Sequence, residues 1–325
     1  MSASEFDIIR RYFLSEQSRD DVELGIGDDC ALLVPPSGMQ LATTVDSLVA
    51  GVHFPLDTTP EDIAYKSIAV NLSDLAAMGA TPAWLTLALT LPESNEAWLQ
   101  AFADSFHNTA TSYGVSLVGG DTTRGPLSIT VQATGFVEPG TSLRRDAAKP
   151  GDAIYVTGTL GDAALGLRLQ QAKLTAGEAG ADVDFLLTRL NRPVPRVEFG
   201  RELTTFARCA IDISDGLLAD LGHIVQASAC GARLMLADVP VSEALQSIYR
   251  NNSESVDMQS VLTGGDDYEL CFTLDPDRAE SVIQCAREHN IRLTRVGEIT
   301  GSAGIVCIGS AGQVCEYTAT GYQHF

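Results

Sequence analysis

The stretch Ser116–Pro126, "SLVGGDTTRGP", decides how this chain is read. An apolar run from Val115 to Val118 reads as a strand, and the glycine pair Gly119–Gly120 follows it. Glycines in that place let the backbone come close to a ligand, often a phosphate. A phosphate-binding loop of the P-loop type then supplies a lysine. Here Asp121 stands where the cation is expected. A glycine turn that presents negative charge to an anion needs a positive intermediary.

The chain of 325 residues exceeds the usual single core, so two domains are expected. Hydrophobic residues make up 45 %, which supports a globular rather than a disordered chain. Acidic residues outnumber basic ones 42 to 21, for a formal charge of −21. Lys and Arg are scattered, so nucleic acid and anionic membranes are excluded as partners. The start "MSASEFDIIRRYF" has no basic segment leading into an apolar one, and so does not read as a secretory signal. No window approaches the roughly 18 apolar residues of a membrane span. The seven cysteines lack CxxC spacing, and several sit in apolar runs such as "ELCFTL" and "GIVCIG". They are read as reduced core cysteines of a cytoplasmic protein rather than a zinc set, and Cys30, followed by "ALLV", as buried.

"EFDIIRRYFL" has the Phe6, Ile9, Phe13 spacing of an amphipathic helix. "QLATTVDSL" reads as a strand ending near Asp46. "TTPEDIAYKSIAVNLSDLAAMGA" is the clearest helix: Thr59 caps it, Pro60 suits its first turn and Gly79 ends it. A strand over 83–91, a helix over 94–113, the strand into Gly119–Gly120 and the strand "LSITVQATGF" follow. "SLRRDAAKPGD" reads as a boundary, which gives domains of 1–148 and 149–325. The second part continues with helices from Gly161, over 197–207, 216–229 and 276–290, and strands over 209–213, 231–237 and 269–274. Both halves therefore mix strands and helices, an α/β (α+β) class. "GGD" recurs at Gly264–Asp266, a hint of related halves.

Several acids occupy places where solvated charge is unusual. Asp28 and Asp29 lie between "GIG" and "CALLV"; Asp46 closes a strand; Asp121 follows the glycine pair. Ser67, Asn71 and Asp74 follow i, i+4, i+7 and share one face of the capped helix. "IDISDG" places Asp212 and Asp215 between a strand and a helix, and Asp266 and Asp267 complete the set. Each could cap a turn, as Asp does well. Together, next to Gly, Ser or Thr, they read better as hard oxygen ligands converging on divalent cations, Mg²⁺ first. Carboxylates can then hold a nucleoside triphosphate when several Mg²⁺ ions lie between, with Arg145 and Arg124 as candidate fixed cations. His53 is the one histidine placed near a site. GxSxG, HExxH, the kinase HRD and DFG motifs and an intact GxGxxG are absent, and "DISDG" lacks EF-hand spacing.

"GIGDDCA", "VNLSDLAAMGA", "LVGGDTTRGP", "AKPGD" with "IYVTG", and "IDISDGL" together resemble the bacterial thiamine-monophosphate kinases, within the aminoimidazole ribonucleotide synthetase-like superfamily. The resemblance runs from "EFDIIRRYF" to "GYQHF". It implies a two-domain fold of that superfamily, whose N-terminal mixed sheet pairs across a homodimer and whose C-terminal α/β layer domain closes the substrate site. It implies transfer of the γ-phosphoryl group of ATP to thiamine monophosphate. By motif, it implies Mg²⁺ ligands at Asp29, Thr44, Asp46, Asp74, Asp121, Asp212 and Asp215. ATP contacts fall on Gly120, Asp121, Arg145 and Ser214, and substrate contacts on His53, Asp266 and, near the closing "GY", Ala319. Two positions depart from the family: Asp266 stands where Glu is common, and Ala319 where relatives carry an aromatic residue.

The chemistry agrees. A phosphate monoester has a second pKa of ~6 and is mostly dianionic at pH 7, so the acceptor needs no general base. The obstacle is repulsion between polyanions, which positioning and charge neutralisation relieve. Direct in-line transfer without a phosphoenzyme is expected. The alternatives are another ATP-using member of the superfamily, such as aminoimidazole ribonucleotide synthetase, or a non-catalytic cation-binding protein.

Overall fold

A computed structural model of the protein describes residues 5–14, 19–172 and 180–317. The chain divides into two compact units, Met1–Leu75 with Ala80–Gly140, and Ala76–Gly79 with Thr141–Phe325. In the first, α1 (Glu5–Ile8) runs into a π-helical turn at Ile9–Phe13, and β1 (Val22–Leu24) pairs with β2 (Leu32–Leu33). Then come β3 (Gln40–Val49), α2 (Pro60–Ala77), β4 (Thr81–Leu91), α3 (Glu96–Ser112), β5 (Ser116–Arg124) and β6 (Ser128–Val137). The last four strands form a sheet in the order β3-β6-β4-β5, with β4 and β5 parallel and the other pairs antiparallel.

The capped helix forms as its sequence dictates. Asp62 N–H donates to Thr59 Oγ1 at 3.2 Å, Pro60 opens α2, and Gly79 follows in the left-handed region at φ +70°. Ala64, Ile68, Leu72 and Leu75 are all buried. α3 is capped by Asn95, whose side chain accepts from Trp98 N–H, and it buries Leu99, Phe102 and Phe106.

Two strand ends differ from the sequence expectation. β3 does not stop at Asp46 but continues to Val49, with Asp46 paired to Val131. β5 does not stop at the glycines either: Gly119, Gly120 and Asp121 pair with Thr86, Leu87 and Ala88 of β4, after a register shift at Leu85/Thr86. Glycine ends a strand only where the chain must turn. Here it allows two backbones to approach, since a Cβ on Gly120, at φ +153°, would overlap the Leu87 carbonyl.

In the second unit the order is β7 (Ala153–Thr157), α4 (Asp162–Gln171), α5 (Ala181–Asn191), α6 (Val197–Leu203), β8 (Cys209–Ile213), α7 (Leu217–Ala227) and β9 (Gly231–Met235). α8 (Glu243–Asn251), α9 (Met258–Thr263), β10 (Glu269–Leu274), α10 (Ala279–Glu288), β11 (Leu293–Thr300), β12 (Gly304–Ile308) and β13 (Val314–Cys315) complete it. The seven strands form one sheet, β13-β12-β9-β11-β7-β10-β8, antiparallel except for β12 with β9. Every residue of β7, β8 and β10 is buried, as a strand covered on both faces requires. α7 packs Leu217, Leu221 and Ile224 into the same core as Ile211 and Cys271.

The suggested relation between halves finds no counterpart in the two sheets or in the two "GGD" segments. The first segment lies within β5, whereas Gly264–Asp266 is loop, with Asp266 at φ +71°. Among the described residues, no helix is long and apolar enough to cross a membrane. All seven cysteines are free; five are buried, but Cys30 is exposed and Cys315 half-buried, so the core reading fails for these two.

Candidate active site

β3 is a strand, so Thr44 and Asp46, two residues apart, project to one face. That face meets α2: Thr44 Oγ1 donates to Asp74 Oδ2 at 2.5 Å. The Asp46 carboxyl is pushed up to about 6, by burial first and then by the negative charge of Asp74. Two facing carboxylates, half-buried, call for a cation. Along the same helix face Ser67 donates to the Ala64 carbonyl and Asn71 to the Ser67 carbonyl, while the buried Asn71 Oδ1 has no hydrogen-bond partner. An all-oxygen set with one unsatisfied amide oxygen suits a hard divalent cation such as Mg²⁺.

A second group lies along a cleft of about 560 Å³ in the same unit, whose walls include Arg10, Gly27, Asp29, Gly120 and Asp121. β5 places Gly120 and Asp121 there, and the loop after β1 places Asp29. Asp28 Oδ1 accepts the Asp29 N–H at 2.8 Å, so Asp28 shapes its own turn, while Asp29 and Asp121 are exposed. His53 follows β3, and its Nδ1 accepts the Val49 N–H at 3.0 Å, which leaves the proton of a neutral ring on Nε2.

In the second unit β8 and β10 are antiparallel, and the chain segments at their shared end lie back to back. Asp266 N–H donates to the Ser214 carbonyl at 2.9 Å and Tyr268 N–H to the Ile213 carbonyl at 2.8 Å. Asp212, Ser214, Asp215 and Asp266 are thereby gathered. Asp212 is buried, and the other three are half-buried. Arg145 is exposed, its charge is felt at Asp220, and its carbonyl accepts from Ser228 Oγ at 2.8 Å. Ala319 lies outside the described residues.

Sequence reading missed Asp220 and Glu269, and took Asp267 for a cation ligand where it instead holds the backbone at the start of α4. Asp220 Oδ2 accepts both the Ser214 and Asp215 N–H groups at 3.0 Å, and burial pushes its carboxyl up to about 7. The signal was a lone carboxylate within the apolar run "GLLADLGHIV". Asp267 accepts from the Gly161 and Ala163 N–H groups at the start of α4, and Arg189 donates to its carbonyl. Glu269 accepts from both Arg196 and Arg189 and from Thr157. No sequence signal links these partners, which stand 73 to 112 residues apart.

Comparisons with known proteins bear on the whole chain. The family model for the AIR synthase related protein, N-terminal domain, matches residues 27–137, and that for the C-terminal domain matches 149–309. The thiamine-monophosphate kinase of Escherichia coli (strain K12) is 50 % identical over 327 residues, covering 100 % of this chain and 99 % of that protein. The crystal structure of thiamine-monophosphate kinase from Stenotrophomonas maltophilia K279a superposes with a TM-score of 0.87 at 48 % identity, over 97 % of this chain and 99 % of that one. A structure described as "AaThiL complexed with AMPPCP and TMP" gives a TM-score of 0.79 at 30 % identity, over 92 % of each chain. The chain belongs to the AIR synthase related family and, within it, to the thiamine-monophosphate kinases.

Proposed function

We propose that this protein phosphorylates thiamine monophosphate to thiamine diphosphate at the expense of ATP. One observation carries the reading: the likeness, over 92 % of each chain, to a protein solved with AMPPCP and TMP, on a chain whose motif carboxylates form small groups within each unit. In this reading residues 1–148 form the ATP- and Mg²⁺-binding and dimerisation domain, and residues 149–325 form the α/β domain that closes the substrate site.

Bound Mg²⁺ would neutralise phosphate oxygens and link them to the acidic side chains. Asp29, Thr44, Asp46, Asp74 and Asp121 would hold it in the first unit, and Asp212 and Asp215 in the second. Thr44 orients Asp74 through its hydroxyl, and Asp220 pins the backbone of Ser214 and Asp215. Gly120 keeps β5 free of a side chain beside Asp121, and Arg145 and Ser214 complete the ATP contacts. His53 and Asp266 bind the acceptor, as does the segment around Ala319. The acceptor phosphate is dianionic near neutral pH and attacks the γ-phosphorus directly, so no side chain acts as general base.

A cytoplasmic homodimer is part of the same reading. The free cysteines favour a reducing compartment. β3 is an edge strand ten residues long with Leu41 and Val45 more than half exposed, a surface that proteins usually cover. The test is turnover of purified protein with ATP, Mg²⁺ and thiamine monophosphate, with products separated by chromatography. Equimolar thiamine diphosphate and ADP, abolished by EDTA, is the expected result. Binding of MgATP without any thiamine diphosphate would overturn the substrate assignment and direct the search to the synthetase chemistry of the superfamily.

A further inference from the structure

Apart from the motif carboxylates, three side chains of the second unit form a compact set of metal-ligating types. Glu202 lies in the last turn of α6; Cys285 and His289 stand four residues apart at the end of α10 and share one face. Glu202 Oε2 is 3.2 Å from Cys285 Sγ and 3.2 Å from His289 Nε2. The three ligand atoms all lie within 4.8 Å of one another. A tetrahedral ion bound at about 2.3 Å to sulfur and about 2.0–2.1 Å to nitrogen and oxygen sets ligand-to-ligand edges of about 3.3–3.6 Å. Two edges of such a face are therefore already formed, and each has to open by only a few tenths of an ångström.

We propose that Glu202, Cys285 and His289 bind a zinc-class divalent cation, joining α6 to α10, with solvent as the fourth ligand. A thiolate and an imidazole favour a borderline-soft ion over Mg²⁺, which prefers oxygen alone. Cys285 is buried and forms the floor of the site, whereas the Glu202 side chain is 53 % exposed and that of His289 24 %, so the ion enters from solvent. Phe199 of α6 meets the His289 ring edge-on at 6.3 Å, which fixes the ring while its Nε2 faces Glu202. Without an ion the thiol is protonated, because burial, and then the Glu202 carboxylate, push it up to about 12. Binding forms the sulfur–metal bond and releases that proton to solvent.

The test is a Co²⁺ titration of the full-length protein in excess Mg²⁺, which competes for the oxygen-only sites. The expected result is a thiolate-to-cobalt charge-transfer absorption that saturates at one equivalent and is displaced by Zn²⁺. Cys285→Ser should abolish it, and Glu202→Gln and His289→Gln should weaken Co²⁺ binding by about tenfold or more. Asp46→Asn should leave it intact. Absence of the band, its survival in Cys285→Ser, or unchanged affinity in His289→Gln would overturn the site. His289 caps the end of α10 and is partly exposed, so its variant decides the matter even if the buried Cys285→Ser fails to fold.

Discussion

Replacing Asp46 by Asn should make the metal-free protein more stable and less active at once. The Asp46 carboxyl stands at about 6 against an ordinary 3.8, because burial and the Asp74 carboxylate both disfavour its charge. A rise of about two units corresponds to about 3 kcal/mol at ~1.4 kcal/mol per unit. The folded protein holds the extra proton between pH 3.8 and about 6, so stability falls as pH rises through that window and the penalty is complete above it. Asn removes the charge with little change of shape. In EDTA at pH 8 the variant should therefore gain about 3 kcal/mol, or roughly 6–12 °C in melting temperature at about 2–4 °C per kcal/mol. At pH 3.5 the two proteins should melt together. Millimolar Mg²⁺ should raise the wild type and close the gap, while turnover of the variant falls at least about a hundredfold. Thermal melts across pH in EDTA and in Mg²⁺ measure all of this. A variant less stable than wild type in EDTA at pH 8 would refute the facing-carboxylate account.

Gly120→Ala should lose about 2 kcal/mol or more and weaken nucleotide binding, because its Cβ meets the Leu87 carbonyl at an unfavourable φ; melts and MgATP titration check both. Glu269→Gln should cost about 3–5 kcal/mol in denaturant unfolding, since it leaves the half-buried Arg196 and Arg189 short of a counter-charge. Asp220→Ala should leave two N–H groups of the Ser214–Asp215 turn unsatisfied, at about 1–3 kcal/mol each, and raise the KM for ATP in steady-state assays. Incubation with γ-labelled ATP should yield no labelled protein under turnover conditions; a trapped phosphoprotein would replace direct transfer with a covalent intermediate.

Much of this was legible in the chain because local chemistry spelled it out. Thr59, Pro60 and Gly79 bounded α2, and the buried strands β8 and β10 read as short apolar runs at their correct lengths. Strand ends were not legible at Asp46 and Gly119–Gly120: a period of two continues through a carboxylate, and a glycine that admits a neighbouring backbone resembles one that turns the chain. α8 was missed although Ser242 caps it and accepts from Leu245 N–H at 3.0 Å. Its apolar positions Ala244, Leu245, Ile248 and Tyr249 do share one face, but the helix is only nine residues long and follows a Pro-Val-Ser break. At the site, residue types were readable but partnerships were not. Nothing in the sequence pairs Thr44 with Asp74 or Glu269 with Arg196, because sheet register and helix placement create those contacts. The four-residue spacing of Cys285 and His289 was visible, but Glu202 lies 83 residues before Cys285.

In the proposed function, glycine-flanked carboxylates hold ATP through divalent cations where other kinases use lysine. The most direct test is the initial rate as free Mg²⁺ is raised at a fixed, saturating concentration of MgATP. The rate should keep rising beyond the point at which all ATP is MgATP, and Asp121→Asn and Asp74→Asn should shift that rise to higher Mg²⁺. A rate that saturates once ATP is fully complexed, unaffected by either substitution, would contradict it.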